Sequence, residues 1–325
     1  MTWSEPTNKH PRLHLPLTNA NPNKPLSECL INDTFSVNVS KTWLQSWHKP
    51  NHSSPELLCQ NLIILLESLA ELTILCQEKI TIFSKNEPHD LVTDTDIGIE
   101  LLLKFWFKTH LPNHKLIGEE SQKPILKTND ICWYLDPIDG TANYAAKKDN
   151  YCINLGSTFN GKPYINIVYY PKTKSYHYQT PKTVSKILPP SDKKRLCSEF
   201  YPHKLKEKKI YETMLKKSQW QAYQTQALGV SLFEMMNGNC TAFYKANAKP
   251  WDILPGASIL ATSPFWEINF FTKDYQNVSL FSNHIDFITY LNNCFKTDCR
   301  IGTLIITPKN NPKIKKLIIE TLAKP

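Results

Sequence analysis

A chain of 325 residues can bury a sizeable core, as one large domain or two closely packed ones, and is long enough for an enzyme. Its 38 basic and 29 acidic residues leave a net charge of +9, which fits an anionic substrate, a nucleic-acid partner or no more than solubility. The nine cysteines are scattered without a Cys-x-x-Cys pair, which argues against a zinc site or a disulfide framework and for reduced thiols.

The first residues carry no basic start followed by an apolar core. The longest apolar run, Leu62 to Leu75, is interrupted by Glu67 and Glu71 and is too short to span a bilayer. A cytoplasmic location without membrane contact is therefore the expectation. Lysine clusters at Lys193 to Arg195, Lys204 to Lys209 and Lys313 to Lys316 read as solvated surface, since no arginine-rich arm or aromatic ladder accompanies them.

Residues 1–52, rich in Pro, Asn, His and Thr up to Lys24, read as an extension of uncertain order. Ser54-Pro55-Glu56 is a helix start: a hydroxyl at the N-cap, proline at the first helical position and an acid in the first turn. Leu58, Leu62, Leu65, Leu66, Leu69, Leu72 and Cys76 then recur at helical spacing, which predicts a long amphipathic helix. A polar stretch follows, Lys85-Asn86-Glu87-Pro88-His89-Asp90-Leu91-Val92-Thr93-Asp94-Thr95-Asp96, and then a second amphipathic helix with Ile97, Leu101, Leu102, Phe105 and Trp106. Asp96 falls at or beside its N-terminus, where an acidic cap is ordinary. Asp94 is an extra acid without an assigned role.

Lys115 to Ile117 is a short strand running into Gly118-Glu119-Glu120-Ser121. Adjacent glutamates on an extended chain point to different sides, so at most one of the two faces the Asp136 turn. The apolar run Ile131 to Leu135 then delivers Asp136 and Asp139, separated by Pro137 and followed by Gly140-Thr141-Ala142. Pro137 biases Asp136 toward extended backbone, and Gly140 permits close approach or positive φ. Asp-Pro and Asp-Gly pairs are common in plain turns. Carboxylate oxygens held on a rigid turn also suit Mg²⁺, and the amides of Gly140, Thr141 and Ala142 are placed to cradle a phosphate.

Tyr151 to Phe159 and Tyr164 to Tyr170, joined by Asn160-Gly161, read as a hairpin, and a turn at Pro171 to Lys174 extends it through Ser175 to Tyr178. Pro181 to Ser191 is the boundary candidate, dividing the chain into 53–185 and 186–325. The second half shows helical segments at Lys208 to Lys217 and Ser231 to Met236 and a strand at Cys240 to Tyr244. Lys249-Pro250-Trp251-Asp252 then opens a helix through Leu260 in which Pro255 is tolerable, and Gly302 to Pro308 with Asn311 to Leu322 forms a closing strand and helix.

Four segments, around Lys85 to Asp96, Gly118 to Ser121, Asp136 to Ala142 and Lys249 to Asp252, stand in the order seen in the inositol monophosphatase-like family of Mg²⁺-dependent, Li⁺-sensitive phosphatases, which the chain resembles over about residues 54–325. The resemblance implies a layered α/β fold, of alternating helix and sheet layers, with metals bound where the halves meet. It implies two or three Mg²⁺ ions: one on Glu119, Asp136 and the Ile138 carbonyl, a second on Asp136, Asp139 and Asp252, and a weaker third near Glu119, with Glu120 further out. Thr141 paired with Asp96 would orient the attacking water, Lys85 corresponds to the family's active-site lysine, and Gly140 and Thr141 would bind phosphate. Hydrolysis of a phosphate monoester needs just such charge neutralisation and an in-line water.

The chain departs from the family in its substrate wall. Lys245 stands where inositol-type members place a glutamate, Tyr223-Gln224-Thr225-Gln226 replaces an arginine region, Ala142 replaces a second threonine, and Thr262-Ser263-Pro264 replaces a glycine-rich turn. Exchanging a hydroxyl acceptor for a cation favours a more anionic substrate, such as a sugar bisphosphate or a nucleotide 3′-phosphate, over myo-inositol 1-phosphate. A homodimer is implied by family habit alone. The rival reading is a diverged or dual-function regulatory protein that binds RNA or the transcription machinery; against it, every matched acid is present.

Overall fold

The computed structural model describes residues 53–84, 91–120, 123–200, 204–272, 277–278 and 284–322; the N-terminal extension and Lys85 lie outside the described residues. Ser54 accepts the Leu57 amide on its hydroxyl at 3.2 Å, and Pro55 opens helix α1 (Pro55–Cys76). Its 22 residues are long and apolar enough to cross a membrane by length and composition, beyond what the run from Leu62 indicated. The apolar stripe from Leu58 to Leu72 is instead buried in the core.

A short ribbon, β1 (Ile82–Ser84) paired antiparallel with β2 (Leu91–Thr93), leads into α2 (Asp94–His110). The first large sheet comprises β3 (Lys115–Gly118), β4 (Ile131–Asp139), β5 (Cys152–Phe159), β6 (Lys162–Tyr170) and β7 (Ser175–Gln179), in that spatial order. β3 and β4 are parallel and the rest form an antiparallel meander. The β5–β6 turn has φ of +51° at Asn160 and +69° at Gly161, the paired positive values that match a two-residue turn to strand twist.

Side chains of β4 alternate between two cores. Trp133 and Leu135 pack with α1 and α2, while Cys132 and Tyr134 face the opposite layer. That layer holds α5 (Leu228–Met236), α6 (Pro250–Ala261) and α7 (His284–Phe295), and a second sheet covers its far side. The second sheet is built from β8 (Arg195–Ser198), β9 (Gln221–Tyr223), β10 (Ala242–Ala248), β11 (Trp266–Phe271), β12 (Asn277–Val278) and β13 (Gly302–Pro308), ordered β12-β11-β13-β10-β8-β9. On it lie α4 (Leu205–Ser218) and α8 (Pro312–Leu322), joined through Tyr211, Met214, Ile314 and Ile318. The layers therefore read helix, sheet, helix, sheet, helix, with a five-residue helix, α3 (Thr141–Ala145), at the end of β4.

The segment from Pro181 to Ser191 is tied to the edge of the first sheet and to the middle layer. Val184 bridges Gln179, the Leu188 amide donates to the Met236 carbonyl at 2.8 Å, and the Ser191 amide to the Cys240 carbonyl at 3.1 Å. The expected strand at Cys240 to Tyr244 begins at Ala242 and continues to Ala248, carrying Lys245 within it. All eight described cysteines are free thiols.

Candidate active site

Asp136 and Asp139 are three residues apart, an odd spacing that would put them on opposite faces of a regular strand. Pairing with β5 steps from Asp136 against Asn154 to Asp139 against Cys152, so β4 carries one residue more than its partner. This bulge restores the parity and turns both acids toward the middle layer. The Ile138 amide donates to Asp136 Oδ1 at 3.0 Å, fixing that carboxylate against its own turn. At Gly140 φ is +105°, and a Cβ there would sit 2.8 Å from both the Ala227 Cβ and the Asn150 carbonyl, so only glycine fits.

Two further acids converge on Asp136. Glu119 follows β3, its amide donating to the Leu135 carbonyl at 3.2 Å, and Asp252 lies in the first turn of α6. One carboxylate oxygen from each of Glu119, Asp136 and Asp252 lies within 4.8 Å of the others. Lys249 Nζ reaches Glu119 Oε1 at 2.9 Å, and Lys123 Nζ donates to the Gly118 and Glu119 carbonyls from above the Trp251 ring. Glu120 is outside the triad; its amide donates to Glu100 Oε2 at 2.8 Å.

Asp139 is differently placed. Its Oδ1 accepts the Leu228 amide at 2.9 Å, while Oδ2 accepts the Gly229 amide and Asn154 Nδ2, the latter at 2.9 Å. It thus caps the N-terminus of α5 beside the triad. Asp96 closes the other side in a capping box, taking the Thr93 amide at 2.8 Å on Oδ2 and returning its own amide to the Thr93 hydroxyl. Its remaining oxygen lies 3.3 Å from the Thr141 hydroxyl, which is also 3.0 Å from the Ile138 carbonyl. The ordinary cap and the matched motif position are the same residue.

Burial raises Asp96, Asp136, Asp139 and Asp252, opposed in Asp139 by its three donors and in Asp96 by Thr93. Asp96 and Asp139 are pushed up to about 7 and Asp252 to about 8. Asp136 stands well above the carboxylate range, through burial first and then the charges of Glu119, Asp139, Asp252 and Asp96. Buried Asp136 crowded by the half-buried Glu119 and Asp252 favours a cation among them. The donors are all hard oxygens, with no histidine or thiol in the triad, a set that suits Mg²⁺.

Lys245, on β10, donates from Nζ to the Glu199 carbonyl at 2.9 Å and lies 3.9 Å from Glu207 Oε2. Burial lowers its pKa, and the charges of Glu207 and Asp252 oppose that shift. Ala142 is exposed one residue beyond Thr141. Sequence reasoning quoted Lys249 in the fourth motif without giving it a role and passed over Asn154, Glu199 and the Leu228 and Gly229 amides. Lys249 adjoins the Trp251-Asp252 pair and could have been weighed; the others meet the acids only through long-range folding.

The inositol monophosphatase family model matches residues 60–262, more than half of the chain. The inositol-1-monophosphatase of Bacillus subtilis is 35% identical over 104 residues, 32% of this chain and 39% of that protein. Inositol monophosphatase 1 of Homo sapiens is 36% identical over 97 residues, 29% of this chain and 35% of that protein. These alignments span well under half of either relative. The solved structure of an IMPase/NADP phosphatase complexed with Mg²⁺ and phosphate superposes with a TM-score of 0.63 at 21% identity, covering 81% of this chain and 95% of that one. A staphylococcal inositol monophosphatase soaked with lithium chloride in an inhibitory complex gives 0.64 at 20%, with the same coverage. At that identity the likeness is one of fold. Since the family match runs from within α1 to the end of α6, and so takes in the three triad acids together with Asp96 and Asp139, the chain belongs to the inositol monophosphatase family.

Proposed function

We propose that this protein is a Mg²⁺-dependent phosphatase acting on a small anionic phosphate monoester. The observation that carries the reading is the convergence of Glu119, Asp136 and Asp252 within 4.8 Å, with Asp139 beside them. Glu119, Asp136, Asp252 and the Ile138 carbonyl would hold the ions, with Asp139 contributing as its α5 contacts allow. When bound, such ions supply Lewis acidity toward phosphate oxygens and a nucleophile from water at neutral pH. Thr141, whose hydroxyl lies between Asp96 Oδ1 and the Ile138 carbonyl, would orient the attacking water, and Asp96 would accept its proton through that hydroxyl. Backbone amides at Gly140 and Thr141 would bind the phosphate.

The finer reading concerns substrate charge. Lys245 lies in the field of Asp252, where it favours a second anionic group over a bare hydroxyl. Phosphate release should be measured with and without Mg²⁺ over inositol, fructose and nucleotide phosphates. The doubly anionic members are expected to be preferred, and Lys245→Glu should reduce that preference about tenfold, the scale of one charged contact. Equal preference in both proteins would remove the assignment of Lys245, and silence across the panel in a folded protein would remove the phosphatase reading.

A further inference from the structure

Glu199 follows β8 and is 8% exposed. Its Oε1 accepts the Thr225 amide at 2.7 Å and the Ser231 hydroxyl at 2.6 Å, with the Thr225 hydroxyl at 3.2 Å, and its Oε2 accepts the Gln226 amide at 2.9 Å. Its own carbonyl accepts Lys245 Nζ at 2.9 Å. A carboxylate saturated by four donors is a construction that fixes whatever supplies them.

Ser231 lies in the first turn of α5 itself, and the Thr225 and Gln226 donors belong to the turn that opens that helix. Gln226 is held there at φ +61°, in the left-handed region that a side chain rarely adopts without outside support. Asn143 grips the same turn from the other side, donating to the Thr225 carbonyl at 2.9 Å. Two residues on, the Leu228 and Gly229 amides meet Asp139. The path from Glu199 through the 225–227 turn to Asp139 is continuous, and the Glu199 carbonyl also restrains Lys245.

We propose that Glu199 is a positioning residue that sets the orientation of Asp139, and with it Mg²⁺ affinity, by holding the turn at the start of α5; this rests on the reading of Asp139 as part of the metal site. Loss of a residue that orients a ligand costs about 10- to 100-fold in metal affinity in general. Glu199→Gln keeps the shape but presents an amide to backbone donors, so an approximately tenfold weaker Mg²⁺ affinity is expected, with Glu199→Asp recovering part of it.

The test is a double-mutant cycle on Mg²⁺ affinity, measured by calorimetry, with Glu199→Gln and Asp139→Asn singly and together. If Glu199 acts through Asp139, its effect shrinks to within about twofold in the Asp139→Asn background. Independent, multiplying losses overturn the proposal, as does an unchanged affinity in Glu199→Gln when Asp139→Asn alone weakens binding. An Asp139→Asn protein with unaltered affinity overturns the metal role of Asp139 and this inference together. Should Glu199→Gln fail to fold, Ser231→Ala, which removes one donor, takes its place in the cycle with a smaller effect in the same direction.

Discussion

Replacing Gly140 by alanine would bring a Cβ within 2.8 Å of Ala227 and of the Asn150 carbonyl while forcing an L-residue to φ +105°. The strain alone is about 2 kcal/mol, and relief moves the turn that carries Thr141. Gly140→Ala should therefore lower both melting temperature and turnover, a pairing that thermal denaturation and phosphate release on one preparation can check. The acids make a second residue-scale prediction. Asp139 and Asp252, raised to about 7 and about 8, bind more protons in the metal-free fold than in the unfolded chain, where carboxylates titrate near about 4. Their stabilisation is complete below that value and is lost as pH rises through about 7 to 8. Metal-free protein should lose stability from about pH 4 upward and level off above about 8, while Mg²⁺ binding tightens with pH over the same range and releases protons. Calorimetry in buffers of different ionisation heat measures the release; binding without it would contradict the burial argument.

Elements show what a sequence can and cannot disclose. Ser54-Pro55 and the leucine stripe announce α1, and Asn160-Gly161 announces the β5–β6 hairpin, because caps and two-residue turns are local chemistry. The bulge in β4 was not legible: Ile131 to Leu135 marked the strand, but its continuation through Asp139 is defined only against β5. β11 and α7 were likewise missed, although the alternation Trp266-Glu267-Ile268-Asn269-Phe270 is a local strand signal. The four motifs singled out acids that the fold brings together, yet nothing local tells that Lys249 pairs with Glu119, that Asp139 caps α5, or that Glu199 holds the turn before it. α1 also offers a control. Leu66 is fully buried between helix and sheet, so Leu66→Ala should cost about 2 to 5 kcal/mol by denaturant titration. Mg²⁺ affinity in the folded variant should stay unchanged.

At the scale of the molecule, the site lies where the ends of β3 and β4 in the first sheet meet the starts of α5 and α6 in the layer shared by both sheets. Neither half of the chain can assemble it alone: Glu119, Asp136 and Asp139 come from one side of the Pro181 to Ser191 segment and Asp252 from the other. The central claim is that these acids hold ions that drive phosphate release. Its most direct test is the Mg²⁺ dependence of phosphate release by the wild-type protein and by Asp136→Asn, side by side on the best substrate of the panel, with Li⁺ added at saturating Mg²⁺. Saturable Mg²⁺ activation, inhibition by Li⁺ and a loss of about a thousandfold in Asp136→Asn, the equivalent of several kcal/mol of transition-state stabilisation, is the predicted result. Release that is indifferent to Mg²⁺, or an Asp136→Asn protein as active as wild type, would contradict it.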